Sequence, residues 1–346
     1  MEKAKALIAM SGGVDSSVAA HLTLQEGFAC IGGMMQLLPQ KMDTRDAQAV
    51  AQRLGIPFHV FPMEEEFRCR VMDDFVSSYE AGLTPNPCIV CNRHLKFGAL
   101  LDQATALGCD CIVTGHYARI SQENGRFFLK KAVDTAKDQS YFLYALTQAQ
   151  LRRIRFPLGE LTKEEARKIA ENQGFVNAHK RDSQDICFIP DGDYLKFIRS
   201  YTGKDYPAGD FLDESGKIVG RHQGAIGYTR GQRKGLGLAM GQPVYVCGKD
   251  MEKNTVTVGS NDSLFSSVLL AEDWVFSAFD TLDHPLRAKA KARSRMTEQP
   301  VTLYPEENGR VRVVFDQPQR ALTTGQAVVV YDGDTVLCGG TITEIL

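Results

Sequence analysis

Two short stretches carry residues whose types and spacing could do chemistry. The first is Ser11-Gly12-Gly13-Val14-Asp15-Ser16-Ser17. It follows an apolar run, residues 5–10, that reads as a buried parallel strand. It opens residues 15–26, where Val18, Ala19, Leu22 and Leu24 have helical spacing and Gly27 is a stop. A strand, a glycine turn and a helix N-terminus make an anion site, because unpaired N–H groups and the positive end of the helix dipole converge there. No G-x-x-x-x-G-K-[ST] stands at this turn, which excludes a Walker loop, and no G-x-G-x-x-G, which argues against a dinucleotide fingerprint. The second stretch is Asn86-Pro87-Cys88-Ile89-Val90-Cys91-Asn92. Its prolines predict an extended loop, with the C-x-x-C just before a helix. A thiol at a helix N-terminus near Arg93, His94 and Lys96 is expected to have a lowered pKa. The alternatives are half a zinc site or a pair of buried thiols. Zinc needs four ligands, and there is no second C-x-x-C and no H-x-x-x-H.

Three further places stand out. Gly115 and His116 follow a strand expected over 109–114, so they would sit at a strand's carboxyl end, where ligands bind in open α/β sheets. Lys137-Asp138-Gln139 puts polar groups at the start of another helix. In 286–295 every second residue is cationic, and a period of two would put five like charges on one strand face, suited to a phosphate backbone. Cys187, between Ile186 and Phe188, reads from its neighbours as a core residue, as do Cys30, Cys69, Cys109, Cys111, Cys247 and Cys338.

The elements that must position these groups fall into two textures. Up to about residue 200 strands alternate with helices: a strand at 30–35, a helix at 43–54 closed by Gly55, a strand at 57–61 and a helix at 63–81 with Phe67, Val71, Phe75 and Tyr79 on one stripe. A hairpin turns near Asn124-Gly125, and a helix at 162–173 opens with Thr162 and Glu165 as a capping box. This alternation predicts an α/β doubly wound parallel sheet. Beyond it, short strands and glycine turns predict a small β-rich central domain, including a strand at 223–228 and a basic loop at 229–237, and then a C-terminal β-barrel. The expected divisions are 1–202, 203–263 and 264–346. The 346 residues have a net charge of −2, so nucleic acid would need a local patch. No apolar run is long enough for a membrane span. Nine irregularly spaced cysteines argue against a disulfide framework, and the cytoplasm is the expected compartment.

SGGVDSS resembles the pyrophosphate loop of the ATP-pyrophosphatase superfamily, whose members cleave ATP between the α- and β-phosphates. Together with NPCIVCN (86–92), GHYAR (115–119), KDQSYFL (137–143), SQDICFI (183–189), GYTRGQRKGLG (227–237) and TTGQAVVVY (323–331), in order along nearly the whole chain, it resembles the bacterial tRNA-specific 2-thiouridylase family. That resemblance implies an enzyme that adenylates the 2-oxygen of the wobble uridine, position 34, and replaces it with sulfur. Ala9, Met10, Ser11, Gly12, Gly13, Val14, Asp15, Ser16, Met35 and Gly115 would hold ATP, with Mg2+ on its phosphates. Asn86, Pro87 and Cys88 would lie against the target base. His116, Lys137, Asp138, Gln139, Arg293, Ser294 and Gln326 would touch tRNA, with Glu, Gln and Lys isoacceptors as the expected substrates. Cys91 would be the nucleophile and Cys187 the persulfide carrier, loaded by a cysteine desulfurase or a sulfur-relay protein.

One departure matters. Many members of that family carry Asp, proposed as an acid/base group, where this chain has Cys88. Three cysteines, Cys88, Cys91 and Cys187, could instead hold a [4Fe–4S] cluster with one open iron. Two rival functions predict different behaviour. Another ATP-pyrophosphatase, such as an amidotransferase synthetase, would need a glutaminase nucleophile or partner. A non-catalytic tRNA-binding protein would bind RNA indifferently to ATP.

Overall fold

The apolar run near the N-terminus forms β1, Lys5–Ala9. Successive side chains of a strand point to opposite faces, and here both faces are covered. Ala6 and Ile8 pack with α1 (Val14–Gln25) and α2 (Arg45–Leu54), while Leu7 joins a second core on the other side with Leu100, Ala104 and Ile154. The coordinates are a computed structural model and describe residues 3–39, 43–180 and 186–346.

The next strands are β2 (Ala29–Gln36), β3 (Phe58–Pro62), β4 (Cys111–Val113), the hairpin pair β5 (Ala118–Glu123) and β6 (Arg126–Lys131), and β7 (Ile154–Arg155). Five of them make a parallel sheet in the order β3-β2-β1-β4-β7, with helices on both faces, as expected of a doubly wound fold. The strand order reverses between β1 and β4, so the loops leaving their carboxyl ends, 10–13 and 114–117, frame a crevice. The strand at 109–114 is shorter than expected; Cys109 and Asp110 belong to the turn before it, although Cys109 and Cys111 are both buried. Cys69 departs from the core reading: it is exposed, and its thiol donates to Glu65 Oε1 at 3.3 Å. Cys247 is half-buried.

The central unit pairs β8 (Gly209–Leu212), β9 (Ile218–His222), β10 (Tyr245–Asp250) and β11 (Thr255–Gly259) in the order β10-β11-β8-β9. Residues 223–228 are not the strand expected from their apolar content. Gly224 has φ 111°, its N–H donates to His222 Nδ1 at 3.0 Å, and Ala225–Gly227 close a 3₁₀ turn instead. A helix at Tyr194–Thr202 leads into this unit.

The last unit contains β12 (Phe265–Phe276), β13 (Leu286–Lys291), β14 (Gln299–Pro305), β15 (Val311–Arg320), β16 (Ala327–Asp332) and β17 (Thr335–Ile345). These run antiparallel in the order β12-β15-β14-β13-β16-β17, and β12 pairs with β17 to close the barrel. The hairpin β5–β6 leaves the first unit and extends the barrel sheet at Thr335↔Lys130. Arg119 secures it with an ion pair to Asp334 at 2.6 Å. Among the described residues no helix is long and apolar enough to cross a membrane.

Candidate active site

The turn after β1 has the form its sequence predicts. Gly12 adopts φ +75°, a backbone conformation that costs a residue with a Cβ roughly 1–2 kcal/mol. Gly13 is the N-cap of α1. The hydroxyls of Ser16 and Ser17 both donate to Gly13 O at 3.0 Å, and Ser11 N donates to Ser16 Oγ at 3.2 Å. The loop is thereby held open toward a cavity of about 680 Å³ at the carboxyl ends of β1 and β4. Gly115 abuts the helix start so closely that a Cβ there would lie 2.7 Å from Asp15 C and Ser16 N. Distant groups brace the loop. Lys163 Nζ donates to both Asp15 carboxylate oxygens at 2.8 Å, and Tyr117 Oη donates to Asp15 Oδ1 at 2.9 Å. Asn177 Nδ2 donates to Gly12 O at 3.1 Å and to Ser17 Oγ at 2.9 Å.

The other end of the same cavity holds Cys88, Cys91 and Cys187. The C-x-x-C does not precede a helix but lies within one, Pro87–Cys91, because Asn86 Oδ1 caps it by accepting from Cys88 N at 3.2 Å and Pro87 suits the first helical position. This helix runs directly into a π-helix, Asn92–Ala99. Hydrogen bonding from i to i+5 puts more than four residues in each turn. Lys96, five residues after Cys91, therefore returns toward the face of Cys91, whereas on an α-helix it would be about 140° away. Lys96 lines the cavity with the three thiols. Cys187 is held from behind by Phe188, whose ring meets those of Phe67, Phe75 and Phe197 edge-on or tilted at 5.1–5.6 Å.

The expected lowering of the thiol pKa is not found. Burial raises Cys88 and Cys91, and Lys96 only partly opposes it. Cys187 is pushed up to about 11 by burial and then by the neighbouring Cys91 and Cys88. Cys88 and Cys91 lie near the N-terminus of the continuous helical run 87–106, but burial outweighs the helix end there, and Arg93 and His94 do not act on the sulfurs. His116 is held well below the usual imidazole range by burial and then by Lys96. It sits as a neutral ring between Phe97 and Phe156, with Nδ1 2.7 Å from Thr114 Oγ1.

Comparison with known proteins supplies the family. Models described as "tRNA methyl transferase HUP domain", "tRNA methyl transferase PRC-barrel domain" and "Aminomethyltransferase beta-barrel domain" match residues 4–191, 195–260 and 266–342. A protein of Acetivibrio thermocellus named tRNA-specific 2-thiouridylase MnmA is 47% identical, over 99% of this chain and 100% of its own. The chain belongs to the tRNA-specific 2-thiouridylases. Relatives of the same name from Carboxydothermus hydrogenoformans and Clostridioides difficile are 46% and 43% identical, each over 99% of this chain and over 98% and 99% of their own. A solved 4-thiouridine synthetase–RNA complex with bound ATP overlaps 58% of this chain and 50% of its own, with a TM-score of 0.36 and 15% identity.

Set against what the 2-thiouridylase resemblance implies, the expected site residues divide. Ala9, Met10, Ser11, Gly13, Val14, Asp15, Ser16, Met35 and Gly115 line the cavity, as do Pro87, Cys88, Cys91, His116, Lys137, Gln139 and Cys187. Gly12, Asn86 and Asp138 are not part of its lining. The Asp138 carboxylate accepts from Ala132 N, Ser140 N and Ser140 Oγ. Arg293, Ser294 and Gln326 lie on the barrel, outside the cavity. Arg293 donates to Ala321 O. Gln326 Nε2 donates to Thr84 O at 2.8 Å while Thr84 N donates to Thr324 O at 2.9 Å, so this barrel turn clasps the approach to Cys88. The cationic row is shorter and less uniform than its spacing suggests. β13 ends at Lys291, Arg287 pairs with Asp316 at 2.6 Å, and Glu298 lies 3.9 Å from Lys291. Ser183, Gln184 and Asp185 of the SQDICFI string lie outside the described residues. Sequence reasoning missed Lys163, Asn177 and Lys180, whose partners are more than 130 residues away.

Among the described residues no three His, Cys, Asp or Glu side chains are grouped to hold a metal ion, so the three thiols as placed do not form the ligand set a [4Fe–4S] cluster needs.

Proposed function

We propose that the protein is an ATP-dependent tRNA-uridine 2-sulfurtransferase that converts the wobble uridine at position 34 to 2-thiouridine. The observation that carries this reading is the single cavity with an anion loop at one end and Cys88, Cys91 and Cys187 at the other. A uracil 2-oxygen is a poor leaving group, and an ATP site beside a thiol site answers that difficulty. The loop from Ala9 to Ser16, with Met35 and Gly115, binds ATP. Asn86, Pro87 and Cys88 lie against the base. The 2-oxygen attacks the α-phosphate, pyrophosphate leaves and the base loses its N3 proton. Cys187 arrives loaded as a persulfide by a cysteine desulfurase or relay protein. Cys91, as thiolate, attacks the Cys187 sulfur, forming a Cys91–Cys187 disulfide and releasing hydrosulfide. Hydrosulfide adds to C2, AMP departs and the sulfur-borne proton passes to N3, replacing the one lost on adenylation. A thiol reductant then returns the disulfide to two thiols.

Magnesium would ride on the ATP phosphates and lower their charge, because the one acidic side chain in the described lining, Asp15, is already engaged by Lys163 and Tyr117. The three units, taken as 1–202, 203–263 and 264–346, divide the work between chemistry in the first and tRNA docking on the barrel through Arg293, Ser294 and Gln326. Glu, Gln and Lys isoacceptors are the proposed tRNAs, and the cytoplasm the proposed compartment. The methyl transfer named in the family description leaves an ATP-type anion loop without a part.

The test is a reconstituted reaction with tRNA, ATP, cysteine and a desulfurase, followed by nucleoside mass spectrometry. 2-Thiouridine should form only with ATP, and Cys91→Ser or Cys187→Ser should bring it to background while ATP binding persists. Thiolation at the normal rate by either variant would defeat the mechanism. ATP-indifferent RNA binding with no product would favour a binding protein.

A further inference from the structure

The Gly12 turn is met by more than one helix. Its backbone also abuts the start of α2: a Cβ built on Gly12 would lie 3.7 Å from Asp46 Cβ and 3.8 Å from Ala47 N. The N-termini of α1 and α2, each the positive end of a helix dipole, therefore converge on one turn. The anion now at this junction is the protein's own. Asp46, in the first turn of α2, accepts from Lys180 Nζ at 2.7 Å. The same Nζ lies 3.4 Å from Gly12 O, and Lys180 lines the cavity. Asn177 Nδ2 and Lys180 Nζ both donate to the Gly12 carbonyl, which offsets the repulsion that this oxygen of the turn would exert on a phosphate. The ion pair is a weak latch: its side chains are 52% and 36% exposed, and such pairs contribute little in water.

We propose that Lys180 is a further phosphate-binding residue and that Asp46 is the placeholder it leaves when ATP arrives, so that its ammonium passes to the terminal, pyrophosphate end of the nucleotide. The assignment rests on the ATP-dependent reading above and goes beyond it by naming the cation for the leaving group.

The test uses the full-length protein and calorimetric binding of three probes: ATP, inorganic pyrophosphate and AMP. Lys180→Met should weaken ATP and pyrophosphate at least about tenfold and leave AMP nearly unchanged, and Lys180→Arg should restore most of the loss. Asp46→Asn should have the opposite sign, with pyrophosphate bound as tightly as by the wild type or tighter, because nothing now competes for the ammonium. If the pair is only a structural latch, Asp46→Asn and Lys180→Met will weaken all three probes alike, and the proposal falls. It falls equally if Lys180→Met leaves pyrophosphate affinity unchanged. Wild-type protein that binds ATP but makes no 2-thiouridine would sink the thiolation reading and leave this assignment standing.

Discussion

At the scale of single residues, the thiols set the pH at which sulfur can move. Burial and two neighbouring sulfurs push Cys187 up to about 11, so near neutral pH it is almost wholly protonated. Alkylation of Cys187 by iodoacetamide, followed by peptide mapping, should therefore accelerate about tenfold per pH unit from 7 to 10 and level off only near 11. A plateau below pH 9 would show that the local cation outweighs burial. The sign of this effect was not legible in the sequence. Cationic neighbours suggested a lowered pKa for Cys88 and Cys91, and Cys187 read as core, but among the described residues only Lys96 acts to lower the three, and the aromatic wall behind Cys187 includes rings far away in the chain. Gly115 is the reverse case, since its place after a strand already marked a close approach. Gly115→Ala forces a Cβ onto the start of α1. It should cost about 1–3 kcal/mol in a denaturant titration and abolish ATP binding.

At the scale of elements, two π-helical segments decide what faces the cavity. Phe67, Val71, Phe75 and Tyr79 recur every four residues, a spacing that drifts around an α-helix of 3.6 residues per turn. The π segment Arg68–Met72 widens the turn and keeps all four in one core, where Phe188 joins them. Phe188→Ala should cost about 3–5 kcal/mol of stability, measured by thermal or denaturant unfolding. At temperatures where the variant stays folded it should lose 2-thiouridine formation while still binding ATP, because the phosphate loop packs with a different core, through Met10 and Val14. Apolar runs alternating with helical stretches made the parallel sheet readable, short strands between glycine turns made the barrel readable, and the Thr162–Glu165 capping box was readable because both partners lie within one turn. The strand expected at 223–228 failed because a residue pattern cannot show that His222 captures the next turn's N–H. The row at 286–295 failed because its strand lacks partners beyond Lys291.

At the scale of the whole molecule, the barrel is built into the catalytic unit. The barrel turn holds Thr84, Tyr141 Oη donates to Ala327 O at 2.8 Å, and β5–β6 completes the barrel's sheet. Removing residues 264–346 should therefore leave β6 with a bare edge and yield a fragment that self-associates on size exclusion, where a separable domain would run as a monomer. None of this allegiance was legible, since the hairpin's sequence fixes its turn and says nothing of which sheet it joins. The shared hairpin also orders events at the ribosome. Roughly 200 residues separate Lys130 from its partner Thr335, so at about 5–20 residues per second β6 waits some ten to forty seconds for a neighbour. Over that interval the growing chain presents the open edge of a hairpin, which makes it, more than the finished protein, a client for chaperones.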